Sequence, residues 1–340
     1  MGTSTGPAFR DERAMSRPAK RSTSQDVARA AGVSRTTVSF VLNDKPGLSI
    51  PEETRSRILD AAQRLDYRPL ASARALAAGR SDVALLSIPD MPIGPAISRF
   101  VEELATALAQ HGLTLVTHLE GAHGKALQDV CATVGASVVI GFVPFDPDTA
   151  QALYRAGADT VLPSEPDDSR DMRLAGRLQA EHLIGRGHRR IGYAFPGHSG
   201  LHQMAEERLR GAIDACHDAG IDPPVVVTTD LEIAGAVQAV TRWEAESVTG
   251  ICAFNDETAI AVLAGMHERG LSAPADFAVI GADDIPTARL TIPALTTVSF
   301  NLHEVGRRRA EAVMASLSGR QPAATSMPDD QVQVVQRSST

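Results

Sequence analysis

Cysteine is scarce in this 340-residue chain: Cys131, Cys216 and Cys252 are three in all, with no CxxC pair and no histidine at metal-ligand spacing. An odd, unclustered set excludes a disulfide framework and a structural metal site, and it reads as reduced interior thiols of a cytosolic protein. Long apolar runs are absent as well. No 18-residue apolar stretch occurs and the N-terminus lacks the apolar segment of a secretory signal, so neither membrane insertion nor export is indicated. Catalytic constellations are missing too. The ten histidines are scattered, GRGHRR lacks the form of a phosphate loop, and no serine, cysteine or aspartate stands in a nucleophile-elbow or paired-carboxylate setting. The sequence gives no ground for an enzyme, a metal or a cofactor.

What is present begins with charge. The whole chain carries net −8, a poor advertisement for nucleic-acid binding, but the charge is not spread evenly. Residues 1–80 hold fourteen Lys and Arg against eight Asp and Glu, net +6, which leaves the remainder at net −14. A small basic module can release counterions from phosphates while an acidic remainder discourages non-specific wrapping. A chain of 340 residues also exceeds one usual core, so two or three compact units are expected.

The basic end contains QDVARAAGVSRTTVSFVLN over 25–43. Thr23 and Asp26 form a capping-box pattern, and Val27, Ala28, Ala31, Val33, Val38, Val41 and Leu42 supply an apolar seam. Gly32 breaks the first helix. A second helix starting near Ser34 presents Arg35, Thr36, Thr37 and Ser39 outward near its N-terminal end, as a helix-turn-helix does toward the major groove. An ordinary helical hairpin has the same spacing. A third helix is expected from about Glu52 to Leu65, with Ile58, Leu59, Ala62 and Leu65 closing the small core. Residues 1–22, rich in Ser, Thr, Pro and Arg, read as disordered.

With Gly32, Ser34 and Asn43 all in place, this stretch closely resembles the headpiece of LacI-type (lactose and galactose repressor) transcription factors. The resemblance implies that Arg35 and Thr36, together with Phe40 one turn later, read bases, while Ser34, Thr37, Ser39 and Asn43 bind phosphates. Phe40 stands where the family often has arginine; it leaves an apolar contact or a headpiece core residue. DYRPLASARALAAGR over 66–80 looks like the family's hinge, whose helix forms when two copies meet in the minor groove. Leu76 matches the leucine that wedges the central step open, and Ala73 lies on the same segment. The partners so implied are an operator of double-stranded DNA, pseudo-palindromic to match a homodimer, and the setting is the cytoplasm, at the nucleoid.

From Asp82 onward, short apolar runs such as VALLSI, LTLVTHL, HRRIGYAF, ICAFN and FAVIGADD alternate with amphipathic stretches, which predicts buried parallel strands and covering helices. The expected fold class is an all-α helix-turn-helix headpiece plus hinge helix, followed by an α/β two-lobe periplasmic-binding-protein-like effector core with parallel sheets. The domains expected are a headpiece over 23–69, a hinge over 70–80, a first lobe of 81–158 with 299–327, and a second lobe of 159–298 with 328–340. EHLIGRGHRRI, ERLRGAIDA, AFNDETAIAVL and GADDIPTARLTIPALTTV resemble the family's core signatures. They imply an effector site in which Arg208 clamps a small molecule, Asn255 and Asp256 sit at a strand-to-helix turn, and Asp283 accepts from hydroxyls across the cleft. An ion pair of Arg208 and Asp283 without a ligand satisfies the same residues. PDMPIGPAISRF, Asp171-Met172 and Leu231 depart from the family pattern, so the pocket is expected to lack stacking rings and an amide, and a sugar-like effector is one outcome beside a smaller, more apolar one or none. A solute-binding protein shares the core but has no basic headpiece.

Overall fold

The computed structural model describes residues 22–42, 50–67, 80–121, 124–142, 144–163, 170–320 and 331–340. The chain divides into two compact units, 1–81 and 82–340.

In the first unit, α1 (Ser24–Ala31), α2 (Arg35–Leu42) and α3 (Glu52–Arg64) pack round one small core. The start of α1 is fixed by a reciprocal cap: the Asp26 N–H donates to Thr23 Oγ1 at 3.3 Å and the Thr23 N–H donates to Asp26 Oδ2 at 2.9 Å. Its end is fixed by Gly32, whose φ of +67° is a left-handed position that glycine adopts without steric cost. The next helix begins where Ser34 Oγ accepts from the Thr37 N–H at 3.1 Å. Val27, Val38, Val41, Ile58 and Ala61 fill the core. Leu59, expected there, is 47% exposed. The stripe that α3 buries runs Ile58, Ala61, Ala62 and Leu65, spaced three, four and seven residues on, and Leu59 lies one position round the helix from it. Asn43, Ala73 and Leu76 lie outside the described residues, as does most of the hinge.

The second unit holds two sheets. Strands β1 (Val83–Ile88), β2 (Thr114–Leu119), β3 (Val138–Ile140) and β4 (Thr160–Leu162) form a parallel sheet in the order β2-β1-β3-β4. Helices α4 (Pro95–Gln110), α5 (Leu127–Val134) and α6 (Pro147–Arg155) alternate with these strands. Strands β5 (Ile191–Pro196), β6 (Val225–Thr229), β7 (Gly250–Ala253), β8 (Ala278–Ala282), β9 (Thr296–Phe300) and β10 (Val332–Val335) form the other sheet, in the order β10-β9-β8-β7-β5-β6, with only β10 antiparallel. Helices α7 (Arg170–Gly185), α8 (His202–Asp218), α9 (Ile233–Ala245) and α10 (Asp256–Glu268) flank it. Strands covered on both faces need unbroken apolar runs: β7 and β8 are buried at every residue, and β5 at all but Phe195.

The lobe boundaries fall later than the sequence suggests. Thr160–Leu162 pairs with β3, so the first crossing follows Leu162 and not 158. Phe300 still pairs with Val332 across the second sheet, so the next crossing follows it and not 298. The chain then returns through α11 (Leu302–Leu317), which packs on α4 of the first lobe with Gly306 set against the Glu103 backbone. No helix among the described residues is long and apolar enough to cross a membrane.

Helices α7 and α8 cross almost backbone to backbone. A Cβ on Gly176 would fall 1.7 Å from the Arg208 carbonyl oxygen, and one on Gly211 would fall 1.8 Å from that of Arg173. Only hydrogen fits at either place. Gly176→Ala must therefore push the helices apart, at a cost of about 1–3 kcal/mol for overpacking, which a shift in the urea midpoint at unchanged slope will show.

Candidate effector site and DNA-reading face

The close crossing sets Arg208 facing the C-terminal ends of β7, β8 and β9. Its side chain is 5% exposed, and its guanidinium donates to the Phe254 carbonyl oxygen at 2.5 Å and to Asp283 Oδ1 at 2.7 Å. The same group lies 4.8 Å from the Phe254 ring centroid and 5.4 Å from that of Phe300, so a desolvated cation is compensated by a carboxylate and two aromatic faces. Arg208 and Asp283 belong to one lobe. They do not oppose each other across the cleft, because α8 and the end of β8 both flank the six-stranded sheet.

Asp283 sits at a sharp corner, with φ of +98° there and +44° at Asp284. Left-handed backbone costs energy that surrounding contacts must supply, and Asp tolerates it better than most residues. Here the Asp283 N–H donates to the Val298 carbonyl oxygen at 2.7 Å, and Arg337 donates to Asp284 Oδ1 at 2.5 Å.

Asn255 caps α10: its Oδ1 accepts from the Thr258 N–H at 2.9 Å and from the Thr258 hydroxyl at 2.8 Å, while its Nδ2 donates to Glu257 at 3.3 Å. Asp256 follows it into the helix but is fully buried. Its two oxygens accept from the Ile285 N–H at 2.9 Å and the Thr297 hydroxyl at 2.5 Å, and Gly281 leaves the space it fills, since a Cβ there would lie 2.1 Å from Oδ1. Both oxygens are engaged inside its own lobe, and the residue also lines the cleft. Burial pushes its pKa up to about 8 against those two hydrogen bonds.

Between the lobes lies a cleft of about 790 Å³ lined by Arg208, Asn255 and Asp283. The expected loss of stacking rings is also corrected. Phe100, Phe142, Phe254 and Phe300 all line it, with Phe100 and Phe142 tilted at 52° and 5.3 Å between centroids. Phe100 is the last residue of the PDMPIGPAISRF segment, in the second turn of α4, while Phe254 and Phe300 stand at the ends of strands. The rule that doubly wound sheets bind ligands at the C-terminal ends of their strands was the signal that would have found the last two. Leu231 and Met172 line the cleft as well, and Glu207 and Glu257, which sequence reasoning left out, add carboxylates. Among the described residues no group of three or more His, Cys, Asp or Glu is arranged to hold a metal.

On the headpiece, Arg35, Thr36 and Ser39 are exposed on α2, while the Ser34 and Thr37 hydroxyls lie 2.8 Å apart and cap its start. Phe40 is half-buried and outside the cluster that fills the headpiece core, which leaves part of its ring on the outward face.

A three-helix helix-turn-helix unit in a net-positive N-terminal segment, on the same chain as a two-lobed, ligand-sized cleft, defines a DNA-binding transcription regulator with an effector core. Residues 23–69 match the family model of bacterial regulatory proteins, lacI family, and residues 180–340 match the periplasmic binding protein-like domain. The HTH-type transcriptional regulator GalR of Escherichia coli (strain K12) is 30% identical over 317 residues, covering 88% of this chain and 90% of that protein. The ribose operon repressor of Bacillus subtilis (strain 168) is 30% identical over 329 residues, covering 94% and 98%. Among solved structures, the lac repressor dimer bound to operator and an anti-inducer aligns with a TM-score of 0.72 at 24% identity, over 94% of this chain and 99% of that one. The transcriptional regulator CelR in complex with cellobiose aligns at 0.65 and 25% identity, over 94% and 100%. The chain belongs to the lacI family of bacterial regulatory proteins.

The buried Asp256 makes folding stability depend on pH in a defined direction. In the unfolded chain the group ionises near 3.8, whereas the folded chain keeps the proton up to about 8. Between those values unfolding releases a proton, so stability falls as pH rises through the window and levels off above it. Asp256→Asn reproduces the protonated form, its amide donating to Thr297 and its carbonyl accepting from the Ile285 N–H. Urea titrations from about pH 5 to about pH 8 should show the variant gaining on the wild type as pH rises; a constant difference would mean that Asp256 is ionised throughout.

Proposed function

We propose that the protein is a repressor that binds a pseudo-palindromic operator as a homodimer in the cytoplasm and responds to a small molecule held between the lobes. The observation that carries the reading is the division of one chain into a net-positive N-terminal segment, residues 1–80, that contains a helix-turn-helix, and an acidic core whose cleft contains a buried Arg208–Asp283 pair. In this reading α2 enters the major groove. Arg35 contacts a guanine in bidentate fashion, Thr36 meets a thymine methyl, and Phe40 offers only an apolar contact. Ser34, Thr37, Ser39 and Asn43 set register on phosphates, and Ala73 and Leu76 act in the minor groove once two copies meet. Arg208, Asp283 and the Asn255 turn form the effector end of the cleft, and a ligand that binds the closed lobes better than the open ones shifts operator affinity by that difference.

A second reading is a regulator whose cleft takes no ligand. It is favoured by one observation: two of the three Arg208 guanidinium nitrogens are already engaged by Asp283 and the Phe254 carbonyl.

Selecting genomic DNA bound by the purified protein, with and without metabolite pools, tests both at once. Arg35→Ala should lose about 1–3 kcal/mol at one symmetric operator position and relax base preference there, read by binding to operators varied at that position. Arg208→Ala should bind operator as the wild type does yet no longer respond to the metabolite that shifts the wild type. A wild type unmoved by every pool would favour the ligand-free reading.

A further inference from the structure

The polar lining of the cleft is lopsided. Asp283 is neutralised by Arg208, and Glu207 by Arg173 at 2.8 Å and by Arg210. Glu257 has no such partner among the described residues. Its carboxylate receives one hydrogen bond, from Asn255 at 3.3 Å, and burial, reinforced by the negative charge of Asp283, holds its pKa above the usual carboxylate range. It also stands where the lobes meet: a Cβ on Gly94, at the start of α4 in the facing lobe, would lie 2.9 Å from both of its oxygens.

A second observation comes from the floor of the cleft. The Nε–H of Arg208, on a side chain 5% exposed, has no acceptor among the described residues. Buried donors are rarely left so, and an oxygen supplied by a ligand would complete it.

Three of the groups suited to a polyol are meanwhile taken. Asn255 has its oxygen on Thr258 and its amide on Glu257, Asp256 has both oxygens engaged inside its lobe, and Asp283 holds Arg208. The remaining wall carries four phenylalanine rings beside the polar side chains of Asp171, Gln203, Asp230 and Arg309. Aromatic faces and an unpaired carboxylate attract the same thing, an organic cation.

We propose that the cleft takes an amine with an apolar or aromatic body, its ammonium paired with Glu257 and a hydroxyl or carbonyl oxygen accepting from Arg208 Nε, and not a neutral polyol. This rests on the reading of the cleft as the effector site.

The test is a thermal-shift and calorimetry panel on the full chain. The probes are benzylamine, 2-amino-1-phenylethanol and cyclohexylmethylamine, each beside its alcohol and carboxylate isosteres, with galactose and ribose as polyols. At least one amine should bind about tenfold more tightly than its alcohol, as expected for a charge-assisted hydrogen bond, and its carboxylate should not bind. Glu257→Gln should bring amine and alcohol to similar affinity, Glu257→Asp should keep the preference at lower affinity, and Arg208→Ala should weaken every probe. The melting temperature of each unliganded variant reports its folding. Galactose or ribose binding best, in an Arg208-dependent way, would overturn the amine and leave the cleft reading standing. An amine preference that survives Glu257→Gln would overturn the assignment of Glu257. If no probe binds in an Arg208-dependent way, the amine proposal and the cleft reading fall together.

Discussion

The contact on which the rest of the core depends is the crossing of α7 and α8 at Gly176 and Gly211, where two backbones touch because neither glycine carries a Cβ. Each helix then delivers one buried polar side chain to the same edge of the sheet. Gln179, fully buried on α7, donates to the Ala253 carbonyl at 2.7 Å and the Gly281 carbonyl at 2.8 Å, while Arg208 on α8 takes the Phe254 carbonyl and the Asp283 carboxylate. Carbonyls at the C-terminal ends of strands have no further ladder partner, and leaving them unpaired inside the protein would cost a desolvation penalty apiece. The pair of helices thus satisfies the sheet edge and builds the floor of the cleft with the same bonds.

Charge separates the two tasks of the chain. Residues 1–80, the headpiece with its flanking segments, carry the positive excess suited to phosphates, and the core keeps a negative excess that does not compete for DNA. Within the core the chain leaves one sheet after Leu162 and the other after Phe300, and each lobe keeps its own sheet and core.

Sequence spacing revealed the headpiece because its determinants are local: a cap three residues long, a left-handed glycine and a stripe of period 3.6. It misplaced Leu59 only because one position on a helix turns a side chain by a large angle away from its neighbour. The lobe boundaries lie a few residues from those read in the sequence because composition does not mark where a strand leaves one sheet for a crossing: β4 and β9 stay paired to Leu162 and Phe300. The cleft was legible in its charged pair but not in its rings. Phe100, Phe142, Phe254 and Phe300 come from four separate elements, and only the assembled lobes bring them together. Asn255-Asp256 reads as a polar pair, yet capping turns the first toward the cleft and the start of the helix turns the second into the core.

The corner at 283–285 shows why movement in this core must come from the other lobe. Three successive residues are each tied to a different element: Asp283 to Arg208 on α8, Asp284 to Arg337 beyond β10, and the Ile285 N–H to Asp256 on α10. Two of them hold left-handed backbone, a conformation that persists only where its surroundings over-determine it. A ligand cannot easily bend such a corner, because bending it would break three buried bonds together. The side of the cleft that carries Arg208 and Asp283 therefore serves as a fixed template. Gly94, Phe100 and Phe142 line the cleft from the other lobe, and under the proposed effector reading a difference in affinity between states would arise from how that lobe meets a ligand seated on Arg208 and Asp283.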